Sequence, residues 1–205
     1  ITYQDYDVTL AEQLRNMIQL ESSPELLVCL SDVFEGLERY NPEAVNFWQK
    51  HLEYYKEAYN RFCTASFYGS TFISRPYMDL KDKSASVTHF EKLKKLWDKR
   101  DILIVEGENS RSGVGNDLFD NAQSVERIIC PSRNAYSKVQ DIQEAVEKHA
   151  AGKVVFLMLG PTAKVLDYHL SQKGIQAIDL GHIDSEYEWF KMGATSKVKF
   201  SHKHT

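Results

Sequence analysis

The stretch DILIVEGENSRSGVGNDLFDN, Asp101 to Asn121, constrains the fold more than any other part of the chain. Ile102, Leu103, Ile104 and Val105 form an unbroken apolar run. A parallel strand covered by helices on both faces reads this way, because it loses the apolar/polar alternation of a one-sided sheet. Acids, an arginine, two glycines and an Asn-Asp pair follow directly. In open α/β sheets ligands bind at the carboxyl ends of such strands, and backbone N–H groups beside glycines suit an anion such as a diphosphate.

The second half of the chain repeats the pattern. Arg127 to Cys130, Val154 to Leu159 and Ile175 to Leu180 read as strands, with helices from Ser137 to His149 and Thr162 to Lys173 between them and a short last helix from Asp184 to Phe190. This alternation predicts an α/β fold with a doubly wound, mainly parallel sheet. Earlier, a helix is expected between Asp5 and Leu20, a strand from Glu25 to Leu30, an extended piece from Thr71 to Tyr77 before which the chain is aromatic and helical, and a helix from Val87 to Trp97. The helix from Pro42 to about Phe62 carries Val45, Trp48, Leu52, Tyr55 and Tyr59 at helical spacing, read as core packing in preference to acceptor stacking. The region from Asn41 to Trp97 is expected to form a helical insertion that caps the sheet.

At 205 residues the chain suits a single domain, 1–205, and its 42% hydrophobic and 26% charged content exclude general disorder. A net charge of −4 offers no broad attraction for nucleic acid or anionic membrane. No apolar run reaches the roughly 20 residues of a membrane span and no leader opens the chain, so a cytoplasmic protein is expected. Cys29, Cys63 and Cys130 are odd in number and far apart, which points to reduced core residues. The tail beyond Gly193, with Lys197, Lys199, Lys203 and two histidines, reads as a solvated, mobile end.

Three strand ends carry polar residues, and parallel strands would bring all three to one edge. Glu106, Glu108, Arg111, Gly113, Gly115, Asn116 and Asp117 follow the first, Gly160, Pro161 and Thr162 the second, and Gly181, His182, Asp184 and Glu186 the third. Gly113 and Gly115 permit positive φ and close approach of a ligand, and Arg111 can fork onto phosphate oxygens. The spacing matches neither a Walker loop nor GxGxxG, and a tight turn before a helix starting near Asn116 is an equal alternative. Thr162 lies near a helix amino end, where an anion can be received. Asp184 and Glu186 have DxE spacing, suited to Mg²⁺ or Mn²⁺ or to proton abstraction; alternatively Asp184 caps the last helix and Glu186 favours its positive end. His182 is either a structural histidine or a ligand. Glu106 and Glu108 either pair with Arg111 or Arg75 or recognise substrate hydroxyls.

Five strings, STFISRPY at Ser70 to Tyr77, VEGENSRSGVGNDLFDN at Val105 to Asn121, RIICPSRNAY at Arg127 to Tyr136, LGPTAKVL at Leu159 to Leu166 and DLGHIDSEYEWF at Asp179 to Phe190, span most of the chain. Together they resemble the GT-D type glycosyltransferases, long catalogued as a bacterial domain of unknown function and found in glycan synthesis on serine-rich adhesins of streptococci. The resemblance implies a Rossmann-like domain, with helices on both faces of its sheet, that binds UDP-glucose with Mn²⁺ or Mg²⁺. It would transfer the sugar to a hydroxyl of a growing glycan on a glycoprotein, with other glycosyltransferases as candidate partners. By this analogy Asp184 and Glu186 are metal-binding or catalytic carboxylates, Glu186 being the preferred base. The Glu106 to Asp117 loop, Gly160 to Thr162, Arg75 and His182 would hold the donor. The chain departs from the family in one respect: a GDGE-type segment expected upstream of the part matching Ile1 is not among these residues, and the metal role is open between that segment and Asp184 with Glu186. A non-catalytic nucleotide-binding or scaffold module and a metal-dependent phosphohydrolase are the competing readings.

Overall fold

The structure, a computed structural model, describes residues 2–200. In chain order its elements are α1 (Val8–Met17), β1 (Cys29–Leu30), α2 (Pro42–Phe62), β2 (Gly69–Ser70), α3 (Ser86–Lys94), β3 (Asp101–Gly107), β4 (Ser124–Cys130), α4 (Val139–His149), β5 (Val154–Met158), α5 (Pro161–Ser171), β6 (Ala177–Asp179) and α6 (Ile183–Lys191). Among the described residues the main sheet has the order β4-β3-β5-β6 and every pairing in it is parallel.

Strand β3 is buried on both faces, as its sequence demands. Ile102 and Ile104 pack with Phe156 against Phe90, Leu93 and Trp97 on one side and Ile183 and Tyr187 on the other flank of that layer. Leu103 and Val105 point the opposite way, with Val155 and Leu157, onto Ile142, Val146, Leu166 and Leu170 of α4 and α5. Each such side chain contributes about 1.5–3 kcal/mol by leaving water. The result is an α/β fold with helices on both faces of a parallel sheet.

The helix amino ends are specified locally. The Asp7 carboxylate accepts from Leu10 N–H at 2.9 Å, and Asn41 Oδ1 accepts from Ala44 N–H at 2.9 Å with Pro42 at the first helical position. The crossover from β3 to β4 differs from expectation, since residues 108–123 form turns and no helix starts near Asn116. Asn116 Oδ1 takes the Leu118 N–H at 3.0 Å, a local bond that competes with helix, and Leu118 and Phe119 drop into the core.

Other expectations need correction. Only Cys29–Leu30 of the expected 25–30 strand pairs, because Ser22 and Ser23 bond the amides of Val28 and Glu25 and turn the chain locally. Thr71–Ser74 is a 3-10 turn, started by Ser70 Oγ accepting from Phe72 N–H, in place of an extended piece. Val87, in the expected helix from Val87 to Trp97, is 49% exposed, since α3 is amphipathic about Phe90 and Leu93. The aromatics of α2 stay out of the main core. Trp48 and Leu52 join a separate small cluster around Val33 and Tyr40, while Phe47, Tyr54 and Tyr55 are exposed.

The part of the tail within the described residues packs on α6 and is no loose end. Trp189 Nε1 donates to Val198 O at 3.0 Å, Tyr77 OH to Ala194 O at 3.0 Å, and Lys197 pairs with Asp79 at 3.2 Å. His202, Lys203 and His204 lie outside the described residues. All three thiols are free, but only Cys130 is a core residue, Cys29 and Cys63 being half-buried; burial pushes each upward, Cys130 to about 11, which favours the protonated thiol. No helix among the described residues is long and apolar enough to cross a membrane.

Candidate active site at the carboxyl edge of the sheet

Strand β3 connects to β4 on one side and β5 to β6 on the other, so the direction of winding changes between the neighbours β3 and β5. That switch opens a crevice at their carboxyl ends. Glu106 sits beside Met158 in the register, so the loop starting at Glu108 leaves the sheet next to Gly160, and Gly181 and His182 follow the adjoining strand. Parallel pairing thus brings the three expected loops to one rim.

Glu106 belongs to β3 itself and is completely buried. One carboxylate oxygen accepts from Ser112 N–H at 2.7 Å and the other pairs with Arg127, whose guanidinium also donates to Ser112 O at 2.7 Å. Its partner is therefore Arg127 and neither Arg111 nor Arg75. An arginine opening the apolar string RIIC was the available signal, since a partly buried cation in a strand needs an acid on a neighbour. Glu108 is exposed and accepts from Ser132 Oγ at 3.2 Å.

The glycine loop crosses toward α6. Arg111, Gly113 and Gly115 all have positive φ, 50°, 74° and 90°. Gly113 N–H donates to Asp184 Oδ1 at 2.8 Å, and Asn116 Nδ2 donates to the same oxygen at 2.9 Å and to Glu188 at 3.1 Å. Asp117 pairs with Lys94 and Lys191; burial opposes its ionisation, but these cations and Tyr187 outweigh it and hold the carboxyl at about 2. A cavity of about 590 Å³ lies between this loop and α6, lined among others by Arg111, Asn116, Glu188 and Lys191.

Gly160 begins α5 with φ 55°, and Pro161 takes the first helical position. Thr162 is completely buried, its Oγ1 without a hydrogen-bond partner among the described residues. Three residues that sequence reasoning passed over frame this end. The ring of Tyr3 lies where a Cβ on Gly160 would meet it at 2.5 Å, and Lys164 donates to Gly160 O at 3.3 Å while pairing with Asp179. Tyr3 is held by Asn134 N–H, which donates to its carbonyl at 2.9 Å, so the amino-terminal segment lies across the ends of β4 and β5. Contacts between residues 130 positions apart leave no local trace in a sequence.

His182 presents an edge to solvent yet is crowded by protein on its other sides. Burial first, then Arg75, lower its proton affinity to about 4, with Lys164 and Lys197 adding to the effect and Asp179 opposing it. The imidazole is neutral at physiological pH, among cations that also pair with Asp79 and Asp179. Arg75 is 4.0 Å from Asp79.

Asp184 and Glu186 occupy the first turn of α6, where His182 is the N-cap and contributes no side-chain bond. Asp184 is thus not the cap. Two residues apart on a helix, the two carboxylates diverge by about 200° around its axis. Glu186, 1% exposed, accepts at one oxygen from Tyr77 N–H at 3.0 Å and Met78 N–H at 2.9 Å. Burial raises its carboxyl above the usual range, with those two amides pulling the other way. Among the described residues no group of three or more His, Cys, Asp or Glu could hold a metal ion. Asp184 and Glu186 thus do not converge on one ion.

The family described as Glycosyltransferase GT-D fold matches residues 1–205. The chain belongs to this GT-D family. It is 60% identical over its whole length to "Probable glycosyl transferase Gly" of Streptococcus gordonii and 56% identical to "Glycosyltransferase GlyD" of Streptococcus pneumoniae serotype 4, and spans 30% and 25% of those proteins. A solved structure described as "A New Glycosyltransferase (DUF1792) from Streptococcus sanguinis" superposes with a TM-score of 0.98 at 61% identity, the chain covering 77% of it. A second, described as "The highly conserved domain of unknown function 1792 has a distinct glycosyltransferase fold", gives 0.98 at 57% identity, with 74% covered. In this GT-D chain, then, the rim that gathers Arg75, Lys164 and His182 stands where an α/β sheet places its ligand.

Proposed function

We propose that the chain is the donor-binding and catalytic part of a glycosyltransferase that passes glucose from UDP-glucose to a hydroxyl of a growing glycan on a glycoprotein. The observation that carries this reading is the gathering of Arg75, Lys164 and Lys197, with their partners Asp79 and Asp179, around His182 at the amino end of α6 on the carboxyl rim. Membership in a family of glycosyltransferases supports the reaction class, and the resemblance described above supports the donor and acceptor.

The acceptor oxygen forms a bond to the anomeric carbon as the bond from that carbon to the terminal phosphate oxygen breaks, and UDP leaves with the electron pair. Arg75 and Lys164 stabilise the charge that develops on the leaving diphosphate, as fixed cations do best in a site that needs no reorganisation. Glu106, Asp184 and Glu186 are buried and accept hydrogen bonds from protein donors, whereas Glu108 is exposed just past the carboxyl end of β3 and takes the proton of the acceptor hydroxyl. Asp184 and Glu186 do not converge on one cation, and no step here is routed through a metal.

Titration calorimetry with UDP, with and without Mn²⁺, followed by a transfer assay from UDP-glucose, tests the proposal. Binding that weakens in Lys164→Ala and Arg75→Ala is expected. A folded chain that binds no UDP under either condition removes the donor site, and binding without transfer in any acceptor mixture favours a nucleotide-binding module.

A further inference from the structure

We infer that Asp184 and Glu186 are positioning residues, each fastening to α6 the backbone of a different arginine-bearing turn and so setting Arg111 and Arg75 at the two flanks of the donor site. The inference rests on the donor-site reading above. Gly113, whose amide Asp184 holds at 2.8 Å, lies two residues after Arg111. Tyr77, whose amide Glu186 holds at 3.0 Å, lies two residues after Arg75, and Met78 adds a second bond at 2.9 Å. The spacing that would let a turn direct both acids at one ion instead directs them, on a helix, to opposite neighbours. Both are almost fully buried, 4% and 1% exposed, a burial that costs a carboxylate less where donors reach it, as two do at one oxygen of each.

The loop carrying Arg111 is gripped from both sides. Glu106 takes Ser112 N–H at 2.7 Å and Asp184 the next amide, so the left-handed backbone of Arg111, φ 50°, is set by bonds on consecutive residues rather than by its own preference. On the other flank, Lys83 donates to Tyr77 O and Met78 O, at 2.6 and 3.0 Å, closing the same turn that Glu186 holds by its amides. A single short helix thereby registers two distant segments against each other.

This role needs an acceptor oxygen and does not need a charge. Asn and Gln retain a carbonyl oxygen able to accept two N–H donors, whereas Leu keeps the volume without the acceptor. Metal ligation or proton abstraction would depend on the carboxylate itself. The tests are UDP calorimetry, steady-state transfer kinetics and amide hydrogen exchange on Asp184→Asn, Asp184→Leu, Glu186→Gln and Glu186→Leu. The Asn and Gln variants are expected to keep UDP affinity and kcat within about threefold of wild type, and the Leu variants to lose about tenfold or more in affinity. Exchange should accelerate around residues 111–117 in Asp184→Leu alone and around 75–79 in Glu186→Leu alone.

Loss of turnover in Asp184→Asn or Glu186→Gln with UDP binding intact overturns the inference in favour of a chemical role. Native exchange in both loops of the Leu variants overturns it as well. Should the wild-type chain bind no UDP, the functional proposal fails, and exchange alone then decides whether the two acids hold the two turns.

Discussion

Arg127 on β4 and Glu106 on β3 meet beneath the glycine loop, and the same guanidinium reaches the Ser112 carbonyl at 2.7 Å. The pair joins sheet to loop: one end of the Glu106 carboxylate is bound to a neighbouring strand and the other to the Ser112 amide. Arg127→Ala leaves a completely buried acid without its counter-charge, and a loss of about 3 kcal/mol is expected. Arg127→Lys keeps the charge but cannot fork to both partners, and should cost about 1 kcal/mol. Urea unfolding measures both; equal midpoints for wild type and Arg127→Ala would show that the loop does not depend on this pair.

Gly113 and Gly115 have similar backbone strain but different surroundings. At Gly113, with φ 74°, a Cβ would come within 2.5 Å of the buried Phe119 ring, while at Gly115, with φ 90°, it would meet nothing within 4 Å. Gly115→Ala should therefore cost only the left-handed penalty, about 1–2 kcal/mol. Gly113→Ala should cost about 3 kcal/mol, since overpacking against Phe119 is added. Denaturation midpoints that coincide for the two variants would contradict this account.

The sheet could be read from the sequence because its strands are governed by short-range rules. An unbroken apolar run such as Ile102 to Val105 leaves few alternatives, and Pro42 with Asn41 marks the start of α2 to the residue. The common rim followed from parallel strands alone. What escaped was everything set by distant partners. DxE at Asp184 and Glu186 has one meaning on a turn and another on a helix, and only the fold shows Gly113 and Tyr77 arriving to occupy the two acids. Tyr3 lies in none of the quoted strings, and nothing in their strings marks Lys164 or Asp179; they reach the rim because Asn134, α5 and β6 carry them there. The aromatic stripe of α2 was read as core, but periodicity reports that a face is apolar and does not report what covers it.

His182 predicts a pH signature. Its ring binds a proton only near pH 4 in the folded chain, against about 6.5 when unfolded, because burial and Arg75 disfavour the imidazolium. Between those values the unfolded chain takes up a proton that the folded chain refuses, so stability falls as pH is lowered from about 6.5 and levels off near 4. Glu186, with its raised carboxyl, slopes the other way above its ordinary 4.5, so the difference between wild type and His182→Gln isolates the histidine. Asp117 acts lower still: held at about 2, it contributes fully above its ordinary 3.8 and is lost on further acidification. A His182→Gln curve parallel to wild type from pH 4 to 6.5 would refute the assignment.

Glu108 is the carboxylate on which the proposed chemistry turns. Its backbone is tied to the sheet by donating N–H to Cys130 O at 2.9 Å, while its side chain, beyond one bond from Ser132 Oγ at 3.2 Å, faces solvent just past the carboxyl end of β3. Glu108→Gln preserves an acceptor for Ser132 and removes the basicity. General-base catalysis is worth about 10²–10⁴-fold, so kcat for transfer should fall by at least about a hundredfold while UDP affinity stays unchanged. Glu108→Asp, which withdraws the same group by one methylene, should recover part of the rate. Transfer by Glu108→Gln at the wild-type rate would move the proton acceptor elsewhere, and a parallel loss of UDP affinity would make Glu108 a donor-binding residue instead.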